Sequence, residues 1–194
     1  MFRFVIAVVA ASVVLEAGVR QADDNAFPRT KSYGRATVQY RDDRVQAVAI
    51  YDYAQNHHDG PWLLVQMGVA LTDRGPVKRD QFSIVMPGGR TVPLATQQQF
   101  LADAPRITQL RQNAGIFERP LLNYFPKSAT GEAIRWFALP GEGTVREPAI
   151  VPSEHGVVLG DLYFKSPTLR WEKGTHRLVF ANEKARAELP IRLE

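Results

Sequence analysis

The stretch His155–Glu194, HGVVLGDLYFKSPTLRWEKGTHRLVFANEKARAELPIRLE, decides the fold class. Val158, Leu162 and Phe164 fall on one side of a first run, Leu178 and Phe180 mark a second, and Leu189, Ile191 and Leu193 a third. A period of two places successive side chains on opposite faces, which marks half-buried β-strands. Lys173-Gly174 and Asn182–Lys184 separate the runs, the latter as a hairpin loop would. Three consecutive strands in 40 residues read as the end of an immunoglobulin-like sandwich. Pro190 lacks an N–H, so the final strand belongs at an edge or turns that position outward.

The same period continues upstream. Leu63, Val65, Met67, Val69 and Leu71 form one stripe of Trp62–Leu71, and Phe82, Ile84 and Met86 repeat it. Val45–Tyr53 alternates Val48 and Ile50 against Ala47, Ala49, Tyr51 and Tyr53. Ile134–Leu139 is apolar on both faces and predicts a central strand. Asp42-Asp43, Asp59-Gly60-Pro61, Arg74-Gly75-Pro76, Pro87-Gly88-Gly89 and Pro140–Gly143 supply turns. One segment breaks the pattern. Thr96 to Gln99 has the capping-box form, Asp103 precedes Pro105 as a second N-cap, and Ile107, Leu110 and Ala114 are spaced for a helix that Gly115 ends. The expectation is a mostly β chain, an immunoglobulin-like antiparallel β-sandwich with a short helical insertion at about 96–114. The insertion would cover an open end of the sandwich or serve as a partner-binding lid.

The amino terminus reads as an address. Arg3 precedes an uncharged, mostly apolar run, Val5–Leu15. Eleven residues are too few for a bilayer core, which takes about 20, but they suit the hydrophobic region of a secretory signal peptide. The domain reading is a signal peptide over 1–22, a flexible leader over 23–35, and one β-sandwich domain over 36–194, with no transmembrane span in the mature form.

Composition narrows the chemistry. The 194 residues hold no cysteine, which excludes disulfides, thiolate metal sites, a cysteine nucleophile and a lipobox anchor. A chain of this length buries about 70% of its extended surface and folds without such staples. Lys and Arg number 24 against 20 Asp and Glu, and the basic residues, 18 of them Arg, are scattered. Nucleic-acid binders concentrate positive charge on one face, so no nucleic-acid partner is expected. Phosphate-loop, zincin, EF-hand and G-x-S-x-G patterns are missing from the sequence.

The strongest polar cluster is Asp52, His57, His58 and Asp59. Imidazoles and carboxylates suit zinc or copper, but adjacent residues of an extended chain point apart, which favours a plain polar loop. His155 and His176 are the other histidines, with Ser153 close to His155. Asp161 lies in a strand on the side of Tyr163, the placement of a solvated carboxylate. Trp62, Trp136 and Trp171, with Tyr51 and Tyr53, are the candidates for stacking on sugars or anchoring a partner.

No catalytic residue, metal site or cofactor is predicted. The functional expectation is an exported, noncatalytic protein of the bacterial envelope or periplasm that binds another macromolecule, a protein or envelope component. The alternatives are a carbohydrate- or small-ligand-binding module, or a hydrolase using the Asp52/His57/His58 region.

Overall fold

A computed structural model describes residues 27–117, 120–143, 145 and 149–194. The signal peptide expected over 1–22 lies outside the described residues. The chain is mostly β, with three sheets and few helices. The largest sheet has β1 (Thr30–Ser32), β2 (Thr37–Arg41), β3 (Val45–Ile50), β4 (Trp62–Leu71), β10 (Gly156–Lys165) and β8 (Thr130–Ala133), in that order. A four-stranded sheet runs β12 (Arg186–Leu193), β11 (Gly174–Ala181), β6 (Phe82–Val85), β7 (Thr91–Pro93). Val77–Lys78 (β5) and Ala149–Ile150 (β9) pair as a third. Within the stretch expected to be a flexible leader, Thr30–Ser32 pairs with β2 as an edge strand.

The alternation read from sequence sorts the faces of the large sheet. Leu63, Val65, Met67 and Val69 of β4, with Val158, Leu162 and Phe164 of β10, share one apolar core with Phe82, Ile84, Leu178, Phe180, Leu189 and Ile191 of the four-stranded sheet. Ala47, Ala49 and Tyr51 belong to this core. Val48 and Ile50 point the other way, into a second cluster with Leu121, Phe125 and Val157 on the outer face. The sheet is therefore covered on both sides, and β4 is buried along nearly its whole length. Gly68 is where the second cover comes closest. A Cβ there would sit 2.9 Å from Cε2 of Phe125, so only glycine lets that ring lie flat on the strand.

The turns are built from the expected residues. Asp42 Oδ1 accepts the backbone N–H groups of Arg44 and Val45 between β2 and β3, and Asn182 Oδ1 accepts those of Lys184 and Ala185 between β11 and β12. Pro190 lies in β12, an edge strand of its sheet.

Two expectations need correction. Antiparallel pairing fails once: β8 runs parallel to β10. Ile134–Leu139 forms no strand. The Ile134 N–H still reaches the Leu159 carbonyl at 2.7 Å, and beyond it side chains hold the chain. Arg79 Nη1 donates to the Trp136 carbonyl at 2.8 Å. The Gln97 amide donates to the Ala138 carbonyl at 2.7 Å and accepts from its N–H at 3.3 Å. The run is apolar on both sides because Trp136, Phe137 and Ala138 are buried. Ile134 packs closely on β10: a Cβ on Gly160 would lie 2.8 Å from the Cβ of Ile134.

The insertion forms two helices, α2 (Gln97–Ala102) and α3 (Ala104–Ala114), after a short helix α1 (Asp52–Asn56). Thr96 and Gln99 make the reciprocal capping box. Asp103 sits at the N-cap of α3 but makes no side-chain cap; it is drawn to Trp62 and Lys165. Gly115 has φ −57° and does not end the chain's helical path, which continues as a 3-10 turn through Gly115–Phe117. The helices cover the outer face of the six-stranded sheet: Phe100 and Ile107 are fully buried, with Phe100 against Trp62, Phe137 and Tyr163.

Candidate functional site

Register places Ile50, Gln66 and Asp161 in one row across β3, β4 and β10 on the outer face. α1 continues directly from the β3 end of this row, bringing Asp52 and Tyr53 beside it, and α3 supplies Arg111 and Ala114 from above. Together with Tyr51, Leu64 and Gly115 these residues enclose a cavity of about 230 Å³. Sequence reading singled out Asp52, Tyr51, Tyr53 and Asp161, and the fold brings all four to this cavity.

The polar groups are held by a chain of contacts. Arg111 Nε donates to the Tyr163 hydroxyl at 2.9 Å, and that hydroxyl donates to Asp161 Oδ2 at 3.2 Å. Arg111 Nη1 reaches both carboxylate oxygens of Glu142 at 2.8 Å. The guanidinium also lies over the rings of Phe100 and Tyr163, 5.2 and 5.6 Å from their centroids. Burial disfavours its charge, but Tyr163 and Glu142 outweigh this and raise its pKa. The Leu139 N–H and Arg111 hold Glu142 below the usual carboxylate range. Burial, reinforced by the Asp161 charge, pushes the Tyr163 phenol up, so it stays a neutral donor. Asp161 is thus part of a half-buried network and not the freely solvated carboxylate expected from alternation.

The Asp52/His57/His58 cluster is divided by the fold. Asp52 opens α1 and faces the cavity. His57 stacks on Tyr53 with centroids 4.4 Å apart and donates from Nδ1 to the Tyr53 carbonyl. His58 is buried elsewhere, beneath the loop that carries Trp171. Among the described residues no group of three or more His, Cys, Asp or Glu is arranged to hold a metal. Ser153 Oγ contacts Thr130 Oγ1 at 3.3 Å, while His155 is exposed in the adjoining turn. Trp62, Trp136 and Trp171 are all buried, so they form packing and not a surface aromatic strip.

Sequence reasoning passed over Gln66 and Arg111. Both carried a signal. Arg111 lies four residues after Ile107, on the buried stripe of α3, and Gln66 interrupts the outer face between Leu64 and Gly68. A polar residue on a face that the neighbours bury needs a partner or a ligand.

Comparison with protein-family models, curated proteins and solved structures returned no match for this chain.

Proposed function

We propose that the chain is an exported, noncatalytic binding protein of the bacterial envelope. In this reading the two larger sheets form an immunoglobulin-like β-sandwich, and the helical insertion roofs a recognition pocket on its outer face. The pocket receives a hydroxyl-rich group, about the size of one sugar residue, carried by an envelope polysaccharide. The observation behind this is the cavity, where carboxylates, a carboxamide, a guanidinium and the Tyr53 ring converge in about 230 Å³. Small-ligand sites combine a few placed polar groups with apolar and aromatic walls. Carboxylates and guanidinium offer acceptors and donors together, which matches hydroxyl groups that do both.

The test is retention of the purified chain on immobilised envelope polysaccharides. Gln66→Leu removes the carboxamide and Ala114→Leu narrows the pocket, and each should weaken retention by at least about tenfold, the equivalent of 1.4 kcal/mol, while leaving the far-ultraviolet spectrum unchanged. Equal retention by both variants refutes the assignment. Fractionation of cells expressing the full chain tests export separately, and cytosolic retention refutes that part.

A second reading has one observation in its favour: Asp52 and Asp161 both line the cavity. Paired carboxylates hydrolyse glycosidic bonds when suitably spaced. Turnover of a bound oligosaccharide that Asp161→Asn abolishes would establish this reading over the noncatalytic one.

A further inference from the structure

We propose that His58, His176 and Met86 form a buried site for copper(I), independent of the cavity on the outer face. His176 is completely buried in β11. Its Nδ1 lies 3.3 Å from the Gly174 carbonyl, which can only accept, so Nδ1 carries the proton. The lone pair is therefore on Nε2, and that atom is buried with no hydrogen-bond partner. This is how metal-ligating histidines are commonly oriented: one ring N–H on a carbonyl fixes the tautomer and presents the other nitrogen. His58, only 8% exposed, likewise has a buried Nδ1 with no hydrogen-bond partner.

The loops that hold the two rings are tied together. The Trp171 N–H bonds the His58 carbonyl at 2.9 Å, and the Ser166 N–H bonds the Pro61 carbonyl at 2.7 Å. The Trp171 ring meets His176 edge-on at 5.7 Å. Met86 comes in through register. Arg177 pairs with Val85, so the antiparallel ladder carried one residue further sets Met86 across from His176. A Cβ on Gly174 would lie 3.4 Å from Pro87, as that continuation requires. Met86 continues the inward stripe of Phe82 and Ile84 and is buried, and His176 continues that of Leu178 and Phe180.

The donor set selects the metal. Zinc takes four ligands in closed structural sites, and the described residues hold no cluster of three His, Cys, Asp or Glu. A thioether with imidazoles is a soft set that suits copper(I). The indole N–H of Trp171 cannot ligate, but it places a fluorophore beside the site.

The experiment uses the purified full chain, stripped of metal and titrated anaerobically with copper(I) under ascorbate against a chromogenic chelator. One equivalent should bind, raise the melting temperature and change Trp171 fluorescence, with the fluorescence change lost in Trp171→Phe. Met86→Leu conserves volume and should fold normally while binding at least about tenfold more weakly. His176→Leu should abolish binding, and His58→Gln provides a second imidazole deletion should that variant fail to fold. Absence of stoichiometric copper(I) binding overturns the proposal, as does wild-type affinity in folded Met86→Leu and His58→Gln.

Discussion

Phe100→Ala is the substitution that most directly tests whether the helical insertion is part of the packed fold. Phe100 has no exposed surface. Its ring meets Trp62 at 6.3 Å, Phe137 at 4.9 Å and Tyr163 at 4.9 Å, and the Arg111 guanidinium lies over it. Truncating a buried phenylalanine costs about 3–5 kcal/mol. The upper half of that range applies here, because the cavity would open among three rings that are anchored by other elements and cannot collapse inward. A domain of this size loses about 2–4 °C per kcal/mol, so the melting temperature should fall by roughly 8–20 °C. The loss should be uneven. Sheet residues such as Leu63 and Ile84 pack on the opposite face, so amides in β4 and β11 should keep most of their exchange protection. Those in α2 and α3 should lose theirs first. Denaturant unfolding with hydrogen exchange resolved by segment measures both. A loss under about 1 kcal/mol, or equal loss of protection in helices and sheets, would refute the view of Phe100 as the peg joining the helical layer to the sheet.

Asp103 ties Lys165 and the buried Trp62 indole together, at 2.8 and 3.1 Å. Asp103→Ala orphans the indole N–H and should cost about 1–3 kcal/mol by denaturant titration, whereas Asp103→Asn keeps an acceptor and should cost less. Lys165 and Trp62 hold the Asp103 carboxyl below its ordinary value of 3.8. Its contribution is thus present above pH 3.8 and lost as pH falls through the lower folded value; Asp103→Asn should flatten the stability profile in that acid window, and an unchanged slope would count against the clamp. Gly68→Ala drives a methyl into the Phe125 ring and should cost about 1–3 kcal/mol, read from the thermal midpoint. Gln97→Ala removes both partners of the Ala138 peptide and should cost about 1–3 kcal/mol; a neutral result would mean that this pair of hydrogen bonds does not hold the 134–139 segment.

Legibility in the sequence followed the range of each interaction. The hairpins at Asp42 and Asn182 and the capping box at Thr96 are closed by residues within three positions, so local chemistry was enough to place them. The stripes of β4 and β10 were equally plain, because the inward face of each strand carries large apolar residues at alternate positions. What alternation cannot say is which face meets which partner. Val48 and Ile50 look like the core side of β3, yet Ala47, Ala49 and Tyr51 take that side and the larger pair faces a second cover. Ile134–Leu139 shows the same limit. Its composition is that of a central strand, but the Trp136 carbonyl and the Ala138 peptide are satisfied by Arg79 and Gln97, tens of residues away. The cavity was half legible: Asp52, Tyr53 and Asp161 stood out by residue type, while Gln66 and Arg111 meet only because the insertion carries Arg111 over β4.

The arrangement of the outer face explains why a cavity exists there at all. At one end of β4, Trp62 and Leu64 with Tyr163 form an apolar patch that Phe100 and Ile107 cover. At the other, Gly68 and Ala70 with Val157 and Leu159 form a second patch, covered by Leu121 and Phe125. Gln66 and Asp161 lie between them, in a polar row that neither cover can dehydrate without supplying hydrogen bonds. Arg111 and Tyr163 supply some of these at the margin. The two covers end on either side of the row, and the space left over the row is the pocket. If the row served stability alone, leucine or valine at both positions would let the covers meet and bury more apolar surface. A sheet that keeps a carboxamide and a carboxylate there forgoes about 1–3 kcal/mol for each well-buried apolar side chain it could have held. Such a cost is what the proposed recognition pocket would impose on the fold that carries it.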